Sequence, residues 1–243
     1  MKIFLTSCAL LLIIGQSKAQ TLEAKYLVTQ QWDMQIANNK TKTVNVEFTG
    51  HFYRNKNRYI YFNTPNFLKL YPGGIIKDDN YSLEICSDSI QYLSYHDLDS
   101  NIRIYRRDMP GKAKADFNIK DNARQIKWKI DYLDETREIS GLLCQKANLS
   151  VSGYPQWIVW FAPSIPMDVG IGNMSQLPGL VVEAEMIPTR TKYVLQKYVA
   201  NGVIDEKIFH PREFEQRFED PYGLQIDEKK DKINKQLKLL NGN

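Results

Sequence analysis

The chain has 243 residues, 43% of them hydrophobic and 25% charged, which excludes an intrinsically disordered protein and fits one large domain or a domain with an appendage. Its formal charge is +4; without Lys2 and Lys18, which sit in the leader read below, 30 basic residues face 28 acidic ones. So small an excess argues against a surface for nucleic acid or an anionic membrane.

Aromatic residues make up 12% of the chain, with 14 Tyr and 4 Trp, a bias that suits half-buried pleated surfaces. At the amino terminus, Lys2 precedes an apolar run over residues 3–14 (IFLTSCALLLII). Gly15, Gln16 and Ser17 break that run, and Ser17 and Ala19 place small residues at the −3 and −1 positions of a cleavage site. The run is shorter than the ~20 residues a spanning helix needs. The expectation is therefore a signal peptide over residues 1–19, cleaved after Ala19, and delivery to the periplasm or the cell exterior. Cys8 precedes most of the Leu and Ile of the run, whereas a lipid-modified cysteine should follow it, so no lipid anchor is expected. No later segment reaches membrane-spanning length. Cys86 and Cys144 then remain as a pair in an oxidising compartment; they are either a disulfide or two separate buried thiols.

Strand patterns fill the next hundred residues. Residues 24–36 (AKYLVTQQWDMQI) are β-rich, and residues 43–54 (TVNVEFTGHFYR) alternate with period two, Val44, Val46 and Phe48 facing one way. Gly50 is read as a bulge. Asn55, Lys56 and Asn57 form a hairpin turn into residues 58–63 (RYIYFN). Residues 64–79 are punctuated by Pro65, Pro72 and Gly73, and three further strands are expected at 81–86, 89–95 and 101–107. After a loop around Pro110, residues 125–132 (QIKWKIDY) alternate again, and Asp131, Asp134 and Glu135 read as an acidic hairpin turn. Residues 191–199 (TKYVLQKYV) look like a last strand. The tail differs: Phe214 and Phe218 lie four apart behind Pro211, and Ile226, Ile233, Leu237 and Leu240 keep helical spacing in a charged stretch.

About ten short strands without interleaved helices predict one antiparallel architecture, and a sheet of that width must curl, split or close. The expectation is a single strongly curved sheet or open barrel over residues 20–204, with a β-sandwich as the alternative. A charged, partly helical tail over residues 205–243 would follow.

Residues 141–185 carry the most specific pattern. Leu142, Leu143 and Cys144 begin a core strand, residues 156–162 (QWIVWFA) form an aromatic strand ended by Pro163, and Leu177-Pro178-Gly179-Leu180 has the chemistry of a type II turn. In order, Gly141, Cys144-Gln145-Lys146-Ala147, Trp160-Phe161, Ile165-Pro166, Gly170, Gly172 and Gln176-Leu177-Pro178-Gly179-Leu180-Val181 resemble the GLPGLI family of exported bacterial proteins. The resemblance implies an exported, mainly β protein with no catalytic residues to carry over. Two positions depart from the family pattern: Gln176 stands where the motif opens on Gly, and Gly170-Ile171-Gly172 replaces a Gly-Pro pair.

No catalytic or metal site is expected. His51, His96 and His210 are scattered, no C-x-x-C, G-x-S-x-G or Walker spacing occurs, and no cofactor is implied. Candidates for binding an apolar ligand or a partner are Trp157, Trp160, Met167, Ile171, Met174, Leu177, Pro178, Gly179 and Leu180. Residues 167–176 hold little charge, so the loop is either an exposed contact surface or a plug tucked under the curved sheet. The functional expectation is a non-catalytic envelope protein that binds an apolar ligand or polypeptide segment on its sheet. A component of an envelope assembly is the alternative, and an enzyme without a recognisable motif comes third.

Overall fold

The computed structural model describes residues 21–36, 40–71, 74–78, 81–84, 91–106, 118–122, 126–211 and 218–219. Its strands are β1 (Thr21–Ile36), β2 (Lys40–Asn55), β3 (Arg58–Pro65), β4 (Ile75–Asp78), β5 (Tyr81–Glu84), β6 (Gln91–Asp97) and β7 (Ile102–Arg106). They continue as β8 (Asn118–Asn122), β9 (Lys129–Ile139), β10 (Leu142–Val151), β11 (Tyr154–Ala162), β12 (Leu180–Met186), β13 (Thr191–Ala200) and β14 (Phe218–Glu219). Twelve of them form one sheet in the order β14-β8-β7-β6-β3-β2-β1-β13-β12-β11-β10-β9, and β4 and β5 form a separate hairpin. Every pairing is antiparallel except the two-residue contact of β14 with β8. The first expected architecture holds: one antiparallel sheet, open rather than closed into a barrel, and not a two-sheet sandwich.

The period-two pattern is what gives this sheet an inside. Along β2, Val46, Phe48 and Phe52 are buried, while Glu47 between them is exposed and Thr49 and His51 are half-buried on the other face. The inward residues of β1 to β3 and of β10 to β13 meet across residues 163–179, which lie on the same face as a plug. Ile171 is 0% exposed and Met167, Met174 and Leu177 are at most 3% exposed. A smaller second core lies on the opposite face, where Ile60, Leu93, Tyr95 and Ile104 pack under Phe209.

Three local expectations are corrected. Gly50 is no bulge: β2 runs through it in register with both neighbours, and it is small because a Cβ there would come within 2.7 Å of the Tyr61 hydroxyl. Asp134 and Glu135 lie within β9, not in a turn; the reversal falls at Ser140 and Gly141, both at positive φ. β9 is the last strand of the sheet, so its outer side meets solvent and tolerates charge. Phe218 lies in β14 and not on a helix face, because its backbone pairs with β8. Residues 214, 226, 233, 237 and 240 of the expected tail helices, like residues 1–19 and Cys86, lie outside the described residues. Cys144 is a free, buried thiol, and burial pushes its pKa up, as for an inert core cysteine.

Candidate functional site

The corner at residues 177–180 is built by close backbone packing and not by the expected type II turn, since Gly179 is not among the glycines at positive φ. A Cβ on Gly179 would stand 2.4 Å from the Ala162 carbonyl oxygen, so only glycine lets the corner lie against the end of β11. The Leu180 amide donates to the Ile165 carbonyl at 3.0 Å, drawing the start of β12 toward β11. Gly172, at φ +61°, sits where a Cβ would run into the Trp157 ring. That indole is buried and packs 5.6 Å from the Tyr193 ring.

Of the sequence candidates, Trp157, Met167, Ile171, Met174, Leu177 and Leu180 are thus brought together as core under the plug, with Gly179 buried among them. Pro178 is exposed at the corner. Trp160 is separate: it is half-buried on the other face of β11, with the Arg137 guanidinium 4.2 Å above its ring and the Lys146 ammonium at 5.6 Å. Arg137 also pairs with Glu183, and Lys146 with Glu135 at 2.9 Å. The apolar loop therefore takes the plug alternative, and its side chains fill the concave face.

Two features were not legible as sites from the sequence. The first is a tear in the sheet. β13 pairs with β1 along nearly its whole length but with β12 only from Thr191 to Val194. Beyond that point the Tyr26 hydroxyl donates to the Val181 carbonyl at 2.9 Å. Gln196, Lys197, Tyr198 and Val199 are consequently all exposed, though they lie on an interior strand. Val199 is 52% exposed. Lys197 lies directly opposite Lys25, and cross-strand like charges are unfavourable.

The second feature is a polar row on the plug face. The ladder aligns Arg54, Tyr59, His96 and Arg103 across β2, β3, β6 and β7, and sets Tyr61, Ser94 and Tyr105 in the adjacent row. Arg54 is nearly buried and reaches the plug, pairing with Asp168 at 2.8 Å and donating to the Lys56 carbonyl at 2.8 Å. The His96 ring stacks on Tyr59 at 4.4 Å, with its Nε2 2.9 Å from Ser94 Oγ. Burial pushes the Tyr59 phenol well above its ordinary pKa, with Arg103 and Arg54 opposing and Asp168 adding to the shift. Period-two alternation could have put these residues on one face, but nothing in the sequence showed that β3, β6 and β7 are neighbours. Among the described residues no cluster of three His, Cys, Asp or Glu could hold a metal ion, and no helix is long and apolar enough to cross a membrane.

No family model and no curated relative matches the chain. Among solved structures, two crystal forms of PNGF-II align with 83% of this chain at 15% identity and TM-scores of 0.46 and 0.47. The chain spans only about a third of the PNGF-II length, 32% and 31% in the two forms. An uncharacterized conserved protein from Thermus thermophilus aligns over 83% of this chain and 91% of its own, at 5% identity and a TM-score of 0.45. At these scores none of the three bears on function.

Proposed function

We propose that the chain is an exported, non-catalytic envelope protein that captures an extended polypeptide segment along the open half of β13. One observation carries the reading: residues 196–199 lie on an interior strand that has β1 on one side and, among the described residues, no paired strand on the other. An unpaired edge offers a row of backbone donors and acceptors, which is what strand addition requires. Export rests on the leader pattern of residues 1–19 and on the resemblance to the GLPGLI family. The plug occupying the concave face favours a polypeptide over an apolar small molecule. Lys197, crowded by Lys25, favours a guest with an acidic residue opposite it, and Tyr198 and Val199 favour apolar neighbours on that guest.

Peptides selected by display against the mature protein test this. The expected peptides are extended, carry one acidic residue flanked by apolar ones, and lose binding when alternate backbone amides are N-methylated. Lys197→Glu should invert the charge preference, and Tyr198→Asp should weaken binding at least about tenfold, as loss of a central aromatic anchor does. Both positions are exposed, so the variants should keep the circular dichroism of the parent. Selected peptides that bind both variants as well as the parent would remove the reading.

A further inference from the structure

The polar row is independent of the β13 edge and carries chemistry of its own. Where the plug ends, Arg54 is neutralised by Asp168, and the row continues past it through His96 to Arg103 on β7. Ser94, Arg103 and Tyr105 are half-buried there, neither sealed into the core nor fully solvated. The Arg103 guanidinium carbon lies 4.3 Å over the Tyr105 ring, a cation–π contact that holds the group against that ring. Its Nε is buried and has no hydrogen-bond partner among the described residues. A buried donor left unmatched costs free energy, and it calls for an acceptor. Ser94 Oγ, one row along on the adjacent strand, supplies a second group able to donate, held by its contact with the His96 ring.

We infer that Ser94, His96, Arg103 and Tyr105 form a binding site for an oxyanion group, a carboxylate or a phosphate. The guanidinium is the charged, planar, multiply donating element that such a group matches, and its contact with the Tyr105 ring holds it in place. The Ser94 hydroxyl and the Tyr105 phenol stand in the row beside it. The ladder also sets Asp121 of β8 opposite Arg103, so the experiment has to separate a ligand site from a cross-strand ion pair.

Titration of the mature protein with sodium acetate and, separately, with inorganic phosphate, followed through the Arg103 Nε–H resonance, is that experiment. A saturable shift with either anion is expected, and the tighter of the two identifies the group. Arg103→Gln should weaken binding about tenfold or more, as removal of a charge-assisted hydrogen bond does, with binding by this variant followed by calorimetry. Ser94→Ala should weaken it severalfold, and Lys129→Gln, on the exposed edge strand, should leave it unchanged. Asp121→Asn should bind as well as the parent or better. The inference falls if neither anion saturates, if Arg103→Gln binds like the parent, or if binding appears only in Asp121→Asn.

Discussion

Gln176 stands at φ +73°, in the left-handed region where a side chain costs roughly 1–2 kcal/mol and glycine costs nothing sterically. The strain is local, because the Gln176 amide is tied to the Asp168 carbonyl at 3.0 Å and the next residues must enter the corner. Gln176→Gly should therefore stabilise the protein by about 0.5–1 kcal/mol in denaturant unfolding, the relief exceeding the added freedom of the unfolded chain. Gly179→Ala should do the reverse, costing about 2–3 kcal/mol by overpacking, since its new methyl would meet backbone at 2.4 Å. Gly141→Ala, at φ +76° with nothing within 4 Å, isolates the backbone cost alone. A loss at Gly179 no larger than that at Gly141 would show that the corner is not packed as described. The oddity of Gln176 was legible in the sequence, but the type II turn read at Leu177-Pro178-Gly179-Leu180 is not what forms. Gly179 is not among the glycines at positive φ, which that turn needs at its third position, and its smallness serves close packing instead. That Gly172 faces a tryptophan ring was not legible, because Trp157 lies on another element.

Some strands were legible: β2 lies close to where the period-two pattern put it, and β3 and β11 close to where the hairpin turn and the aromatic run put them. The alternation over 125–132, however, misplaced β9, which runs from Lys129 to Ile139. Elements whose character is set by their neighbours were not legible. The 3-10 turn at Glu206–Phe209 reads as part of a polar tail, yet it is a strap across the second core. Phe209 is buried against Tyr95, with their ring centroids 6.5 Å apart, and the Arg58 guanidinium lies over its face at 5.3 Å. Glu206 holds the strap's outer side through Arg58 at 2.9 Å and Asn55 at 2.5 Å. Burial should dominate here. Phe209→Ala is expected to cost about 3 kcal/mol or more, whereas Glu206→Gln, whose ion pair is largely exposed, should cost under about 1 kcal/mol. Hydrogen exchange on β6 and β7 should rise sharply in the first variant and little in the second. Equal effects would mean that the strap is held by its charges and not by its aromatic anchor.

Across the whole molecule, tyrosines stand where other proteins place aliphatic residues. Tyr26, Tyr61 and Tyr193 are buried on the plug face with Tyr59, and burial raises the pKa of each well above the ordinary phenol value. On the second core Tyr95 is pushed up to about 12, again chiefly by burial. A group whose pKa is higher folded than unfolded supports the fold fully below the unfolded value and loses that support as pH rises toward the folded one. The unfolded chain begins shedding phenolic protons near pH 10, while the folded chain keeps them. Each such tyrosine therefore subtracts about 1.4 kcal/mol per pH unit above that point. Several acting together should make alkaline unfolding steep, starting close to pH 10 and finishing within little more than one unit. Tyr132 and Tyr154 are exposed, so the readout is the final part of the phenolate absorbance. It should rise in one step with the loss of far-ultraviolet circular dichroism, the buried phenols ionising only as the sheet comes apart. The Tyr26 hydroxyl, bonded to the Val181 carbonyl where β12 leaves β13, makes the splayed sheet itself part of that transition. Full phenolate absorbance reached while the sheet is still intact would mean that water already reaches the plug face, and that the plug does not seal it.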